Sequence, residues 1–130
     1  MSRAVLRWVP AALWAGFLLW LGQRGGGDLP ATPDGFDKLF HAGAYGFLGA
    51  LAAFGPRGIT PLRGALIGLL AALLVGGADE WMQGSVEGRV GSLGDLVADV
   101  AGAAAGGWLI PWITAYNGRF LPDRNKRSPQ

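Results

Sequence analysis

Residues 61–83 read PLRGALIGLLAALLVGGADEWMQ, and they decide the fold. Thr60 followed by Pro61 is typical of an N-cap with proline at the first helical position, so a helix begins at Pro61. The residues after it are almost entirely apolar until the acidic pair Asp79 and Glu80. A helix needs about 20 residues to cross the hydrocarbon core of a membrane, and this segment reaches that length only with its polar ends included. The stretch therefore predicts a transmembrane helix with charged side chains at its mouth.

Three further apolar segments flank this one. Hydrophobic residues make up 51% of the 130-residue chain and charged residues only 15%, and the apolar residues come in runs too long for one side of a surface helix. The composition therefore excludes a soluble globule and leaves room for one domain. We predict an all-α integral membrane bundle of four transmembrane helices within residues 1–116, followed by a basic cytoplasmic tail at 117–130. The three further segments are Ala4–Gly22, Gly35–Phe54 and Ser92–Tyr116.

The first segment has a second interpretation. Arg3 and Arg7, followed by a short apolar core, are also typical of a signal peptide. Residues 21–24 interrupt the place where a small-residue cleavage site would lie, which favours an uncleaved helix. The other segments keep the same orientation in either case.

Small residues recur at the spacing that lets membrane helices pack. Gly64 and Gly68 lie four residues apart, as do Gly102 and Gly106. Such pairs allow close approach of two helix backbones in lipid. A chain rich in Gly and Ala also produces these pairs by chance, so helix packing is a prediction that the structure must test.

The basic residues predict the orientation. With the N-terminus in the cytoplasm, eight of the eleven basic residues lie inside, and Arg24, Lys38 and Arg89 lie outside. The positive-inside rule therefore places both termini in the cytoplasm. The acidic residues segregate the other way, with only Asp123 inside. Those assigned outside are Asp28, Asp34, Asp37, Asp79, Glu80, Glu87, Asp95 and Asp99.

The ends of three segments gather ionisable side chains on this outer face. In segment two, Lys38, His41 and Tyr45 share one stripe, because spacings of three and four residues lie on one face of a helix. Segment three ends in acids that oppose the helix dipole, and Asp99 lies one turn inside segment four, so capping explains neither. A carboxylate near lipid is costly unless it faces a bundle interior or a wet cavity with a partner. We therefore predict a polar pocket lined by Lys38, His41, Tyr45, Asp79, Glu80, Gln83, Arg89, Asp95 and Asp99.

Simpler roles are open for several of these residues. Asp34, Asp37 and Asp95 lie at predicted helix N-termini, where a carboxylate caps free amides. Tyr45 is also typical of aromatic residues at a membrane interface, and a lone histidine is often a satisfied core residue. A purely structural ion-pair network is the alternative to a binding pocket.

Polar motifs lie at the ends of successive hydrophobic segments. They are Asp37-Lys38-x-x-His41-x-x-x-Tyr45, Asp79-Glu80-x-x-Gln83, Gly88-Arg89 with Asp95, and Asp99-x-x-Gly102. Together they span about residues 37–106 and resemble the VanZ-like family of small membrane proteins, although the family pattern usually has Asn where this chain has Asp99. The resemblance implies a multi-helix protein of the bacterial cytoplasmic membrane. The founder of that family is linked to resistance against the glycopeptide antibiotic teicoplanin, and the resemblance implies no particular reaction.

Two classes of function fit the predicted site. In the first, a binding or resistance-type protein engages a cell-wall precursor, another envelope component or an amphiphilic antibiotic. Its acids hold ammonium groups, while Lys38 and Arg89 hold phosphate or carboxylate. In the second, a membrane enzyme acts on a lipid-linked or cell-wall precursor, with His41 and either Asp37 or Glu80 as the general base.

Cofactors and other partners are less well defined. We predict no cofactor, but a divalent cation is an open alternative, and the side chains of suitable type are His41, Asp79, Glu80 and Asp99. The chain has no Cys, which excludes thiolate ligands. A transport path is disfavoured because residues 67–75, in the middle of segment three, carry no polar side chain. The predicted partner is the lipid bilayer, and nothing outside the short basic tail suits nucleic acid.

Overall fold

All regular structure in the described part of the chain is helical. The computed structural model of the protein describes residues 3–24, 36–83 and 93–120, with side chains over 4–24, 36–82 and 94–116. None of these residues forms a strand, so the all-helical prediction is confirmed for them. The helices are α1 (Arg3–Leu6), α2 (Val9–Gly22), α3 (Phe36–Phe54), α4 (Pro61–Gln83) and α5 (Leu93–Phe120).

α1 and α2 form one apolar segment interrupted at Arg7 and Trp8. Pro10 has no N–H to donate to the carbonyl of Leu6, and its ring crowds that carbonyl, so a continuous helix is disfavoured. The amides of Arg7 and Trp8 instead donate to carbonyls three residues earlier, at 3.3 and 3.0 Å. α2 restarts at Val9 with Pro10 in its first turn, where a missing N–H leaves no helical bond unmade.

Three stretches are long and apolar enough to cross a membrane. They are Ala4–Gly22, Pro61–Met82 and Gly94–Tyr116. Their outer surfaces carry large apolar side chains, such as Leu13, Leu62 and Val97, which are 70%, 62% and 68% exposed. Apolar surface on this scale is costly in water and suits contact with lipid. The chain is therefore a helical membrane protein.

α3 falls short of the other three by composition. It has 19 residues, but Asp37, Lys38 and His41 in its first two turns lower its mean hydropathy. It packs against the helices that do qualify. The fourth transmembrane span stays a prediction.

α3, α4 and α5 pack against one another, with α5 making the most extensive contacts to the other two, while α2 lies at the edge of this group. Tyr45, Leu48 and Ala72 are buried where the helices meet. α5 runs parallel to α3 and antiparallel to α4, as four neighbouring pairs show: Ala42 with Gly102, Gly46 with Gly106, Gly64 with Gly107, and Gly76 with Leu96.

The small residues make this packing possible. A methyl group at Gly64 or Gly68 would overlap the backbone of α5, and one at Gly102 or Gly106 would overlap the backbone of α3. Dispersion and backbone contacts hold helices together in lipid. A substitution that pushes two helices apart therefore lowers the stability of the bundle. The predicted role of both glycine pairs in helix packing is confirmed.

Pro111 lies inside α5 and leaves one carbonyl without its usual helical partner. The carbonyl concerned is that of Gly107, which lies against the Cα of Gly64. Close approach of a carbonyl to a Cα–H group is a weak attraction that recurs between packed helices. One turn later, the Thr114 hydroxyl donates to the carbonyl of Ile110 at 3.0 Å. The proline is thus accommodated by a neighbouring glycine.

The helix ends agree with the sequence in one place and differ in another. α4 begins at Pro61, and the Arg63 amide donates to Thr60 Oγ1 at 3.4 Å, so the predicted N-terminus is confirmed. Ser92, where segment four is predicted to begin, lies outside the described residues. The predicted polar tail begins at Asn117, but α5 continues to Phe120. The first residues of that tail are therefore helical.

Candidate functional site

One end of the bundle collects the ends of four helices, and we call it the acidic end. α2 and α4 finish there, and α3 and α5 begin there. The Asp79 carboxylate occupies the space where a side chain at Gly22 would lie, which joins the ends of α4 and α2. Tyr45 of α3 and Leu96 of α5 both lie beside Gly76 of α4. The acidic residues of α3, α4 and α5 therefore share one end of the molecule, as the sequence predicts.

Two polar pairs connect α3 to α5. His41 Nδ1 lies 2.9 Å from Asp99 Oδ1, and Lys38 Nζ lies 3.6 Å from Asp95 Oδ1. The pairs are successive because α3 and α5 run parallel and in contact. The seam of small residues directly below brings the two backbones close enough for these short side chains to meet.

The His41–Asp99 pair is the buried part of the site. The Asp99 side chain is 8% exposed, whereas that of His41 is 41% exposed. A buried carboxylate is costly unless it is paired and hydrogen-bonded. His41 supplies that partner through an Nδ1–H that donates to Asp99, which leaves Nε2 as the ring nitrogen for other interactions. The pair thus presents an oriented imidazole at the surface of the bundle.

The Lys38 ion pairs are open to solvent by comparison. Lys38 Nζ lies 3.5 Å from Asp37 Oδ2, and the two side chains are about half exposed. Exposed pairs of this kind contribute about 0–1 kcal/mol to stability. Oδ1 of Asp37 and Oδ1 of Asp95 are buried and make no hydrogen bond within the described residues, and the Lys38 ammonium group approaches Asp95 Oδ1 only to the 3.6 Å of an ion pair. The ammonium group therefore matters more for the local charge than for holding the helices together.

Tyr45 lies one layer deeper than the ion pairs. Its side chain is buried among Leu18, Leu48 and Ala72, so the interfacial role considered for it is wrong. Its hydroxyl lies beside Gly76 of α4, one turn below Asp79 and Glu80. The Tyr45 ring therefore forms the apolar inner boundary of the acidic end, and its hydroxyl group faces that end.

The structure brings together part of the predicted pocket. Lys38, His41, Asp95 and Asp99 make direct contacts, and Asp37, Asp79 and Tyr45 lie next to them. Glu80 follows Asp79 at the same end of α4 and is exposed. Arg89 and the side chain of Gln83 lie outside the described residues, as do Asp28, Asp34 and Glu87.

The partner of His41 differs from the two considered from sequence. Among the described residues, His41 pairs with Asp99 rather than with Asp37 or Glu80. The proposed metal ligands also fail to converge, since no group of three or more His, Asp or Glu side chains in the described part of the chain is arranged to hold an ion. The geometry favours charge recognition and proton exchange at an imidazole.

Comparison of the chain with protein-family models, curated proteins and solved structures finds no match.

One supporting residue was not found from sequence. Trp14 of α2 donates from Nε1 to the carbonyl of Ala44 at 2.9 Å, one turn below His41. Its ring also packs edge-on against Phe47, with centroids 5.0 Å apart. A tryptophan in the middle of a segment, away from both interfaces, was the available signal. Trp14 fixes α2 against the helix that carries Lys38 and His41.

Proposed function

We propose that the protein is a VanZ-like protein of the bacterial cytoplasmic membrane, with four transmembrane helices and both termini in the cytoplasm. Its acidic end then faces the extracytoplasmic surface. There it engages a cell-wall precursor or an amphiphilic antibiotic of the teicoplanin type. The order of the polar motifs along residues 37–106 and the inward bias of basic residues support this proposal.

The meeting of ionisable groups from three helices at one end carries the proposal. Carboxylates outnumber cations among the described groups there, so the local field favours ligands that bear an ammonium group. Lys38 adds a site for a phosphate or carboxylate on the same ligand. The surrounding helix surfaces are apolar, which suits a ligand that is itself anchored in the lipid. An amphiphile with both charges in its headgroup matches this arrangement.

A susceptibility assay in a bacterium that expresses the protein tests the proposal. The wild-type protein should raise the inhibitory concentration of teicoplanin, and Asp99→Leu should abolish the increase because His41 loses its partner. Asp99→Asn should retain it, since an amide oxygen also accepts from Nδ1 and Asn is the usual family residue.

Two controls make the assay specific. The exposed Arg63 lies at the other end of α4, so Arg63→Gln should leave resistance unchanged, and immunoblots should show equal amounts of every variant in the membrane. No protection by the wild type, or equal loss in Arg63→Gln and Asp99→Leu, would contradict the proposal.

A membrane enzyme is the second candidate, and the His41–Asp99 pair favours it. A carboxylate that fixes the imidazole tautomer leaves Nε2 as a general base, which is the arrangement that positioned proton transfer needs. Purified protein incubated with bacterial envelope lipids and lipid-linked precursors should then form a product detectable by mass spectrometry, and His41→Ala should form none. Resistance in cells without any product in this assay assigns the site to binding.

A further inference from the structure

A cavity of about 250 Å³ lies at the end of the bundle opposite the acidic end. We call that end of the bundle the basic end. The cavity opens between the break that separates α1 from α2, the turn that joins α3 to α4, and the last turns of α5. The residues that define it are Arg7, Phe54, Arg57, Ile59, Pro111 and Thr114.

The charge of this cavity is of one sign. Arg7 and Arg57 are the charged residues in its described lining, and no carboxylate accompanies them there. Most of the other lining residues are apolar. Two guanidinium groups above an apolar wall form a site for an anion that also carries a non-polar part.

Arg7 is held in place by the protein. Its Nη1 donates to the carbonyl of Gly55 at 3.3 Å, and its guanidinium lies over the Phe54 ring, 4.9 Å from the centroid. A guanidinium has five N–H donors, so one bond to a carbonyl leaves others for a ligand. Ordering of Arg7 before a ligand arrives lowers the entropic cost of binding.

Arg57 lines the cavity and is exposed. The turn that carries it passes through Gly58, whose φ of 64° lies in the left-handed region that favours glycine. This turn places Arg57 in the lining of the cavity that Arg7 also lines. Arg57 is therefore the group that a substitution can remove without disturbing helix packing.

We propose that this cavity binds the phosphate of an anionic phosphoester, either a phospholipid headgroup or a free phosphoester. Guanidinium groups match phosphate oxygens in a bidentate geometry. Clefts that enclose a drug-sized ligand measure about 300–1,000 Å³, so this smaller cavity suits a headgroup alone. The cytoplasmic leaflet, which the predicted orientation assigns to this end, is rich in anionic lipid.

The test uses the full chain in detergent micelles. Affinities are measured for short-chain phosphatidylglycerol, for phosphatidylcholine of equal chain length, and for glycerol 1-phosphate. Arg57→Gln should weaken phosphatidylglycerol binding about tenfold, the loss expected for one charge-assisted hydrogen bond. Arg63→Gln removes the same charge at the same end but outside the cavity, and it should change the affinity by less than about twofold.

A second variant separates shape from charge. Ala115 is exposed and lines the cavity, so Ala115→Leu should weaken binding by filling space while the charge and the helical circular dichroism stay unchanged. Binding of glycerol 1-phosphate with the same dependence on Arg57 identifies a free phosphoester as the ligand, and binding of phosphatidylglycerol alone identifies a lipid. Equal binding of phosphatidylcholine and phosphatidylglycerol, or equal loss in Arg57→Gln and Arg63→Gln, overturns the proposal.

Discussion

At the scale of single residues, the bond between His41 and Asp99 makes a direct prediction. The chain has only one histidine, so its imidazole ¹⁵N signals need no assignment. When the imidazole is neutral, we expect its proton on Nδ1, because Asp99 Oδ1 accepts from that nitrogen at 2.9 Å. Asp99→Leu should abolish the preference, and Asp37→Asn should preserve it. A wild-type spectrum identical to that of Asp99→Leu would show that the bond is absent.

The members of the polar cluster were predictable, but their pairing was not. Spacing along one helix decides which side chains share a face, and this placed Lys38 and His41 together. It does not decide which residue of another helix lies opposite. A signal was nevertheless present, because Asp95 and Asp99 are also about one turn apart with the opposite charge. The predicted topology makes segments two and four parallel, as two such matching pairs require, but it does not show that these two segments are neighbours.

At the scale of helices, the contact of α3 with α5 depends on the absence of side chains. A methyl group at Gly49 would overlap the backbone of Ala103, so Gly49→Ala should lower the free energy of unfolding by about 1–3 kcal/mol. Gly43 lies on the same helix with open space around it. Gly43→Ala should therefore raise that free energy by about 0.5–1 kcal/mol through helix propensity. Unfolding in detergent measures both, and equal effects of the two substitutions would contradict the packing.

Helix beginnings and helix ends differed in how well the sequence predicted them. The start of α4 follows from local chemistry, since Thr60 caps and Pro61 tolerates only a first-turn position. The sequence predicts that segment four ends at Tyr116, because polar residues follow. Polarity marks where a chain leaves lipid, however, and a helix can continue into water beyond that point. The break before α2 is not predicted from the apolar pattern. Hydropathy alone does not show that Pro10 interrupts the backbone hydrogen bonds of the helix.

At the scale of the whole molecule, the two ends of the bundle differ in charge and in design. The acidic end holds partly buried carboxylates that are paired with a lysine and an imidazole. The basic end holds a cavity with two arginines. A bundle with opposite charge at its two ends is oriented by the distribution of its basic residues. The two proposed sites would then face different compartments and would bind different ligands.

Cysteine labelling tests this arrangement and the fourth span together. The chain contains no Cys, so one substitution creates a unique target for a membrane-impermeant maleimide. Lys38, Arg57 and Glu80 are exposed, and they lie in the first turn of α3, between α3 and α4, and near the end of α4. Because two crossings return the chain to its starting side, spheroplasts should label Lys38→Cys and Glu80→Cys, and Arg57→Cys only after lysis. Labelling of Lys38→Cys and Arg57→Cys from the same side would mean that α3 does not cross the membrane. Labelling of Arg57→Cys alone would invert the bundle and place the acidic end in the cytoplasm, out of reach of a cell-wall precursor.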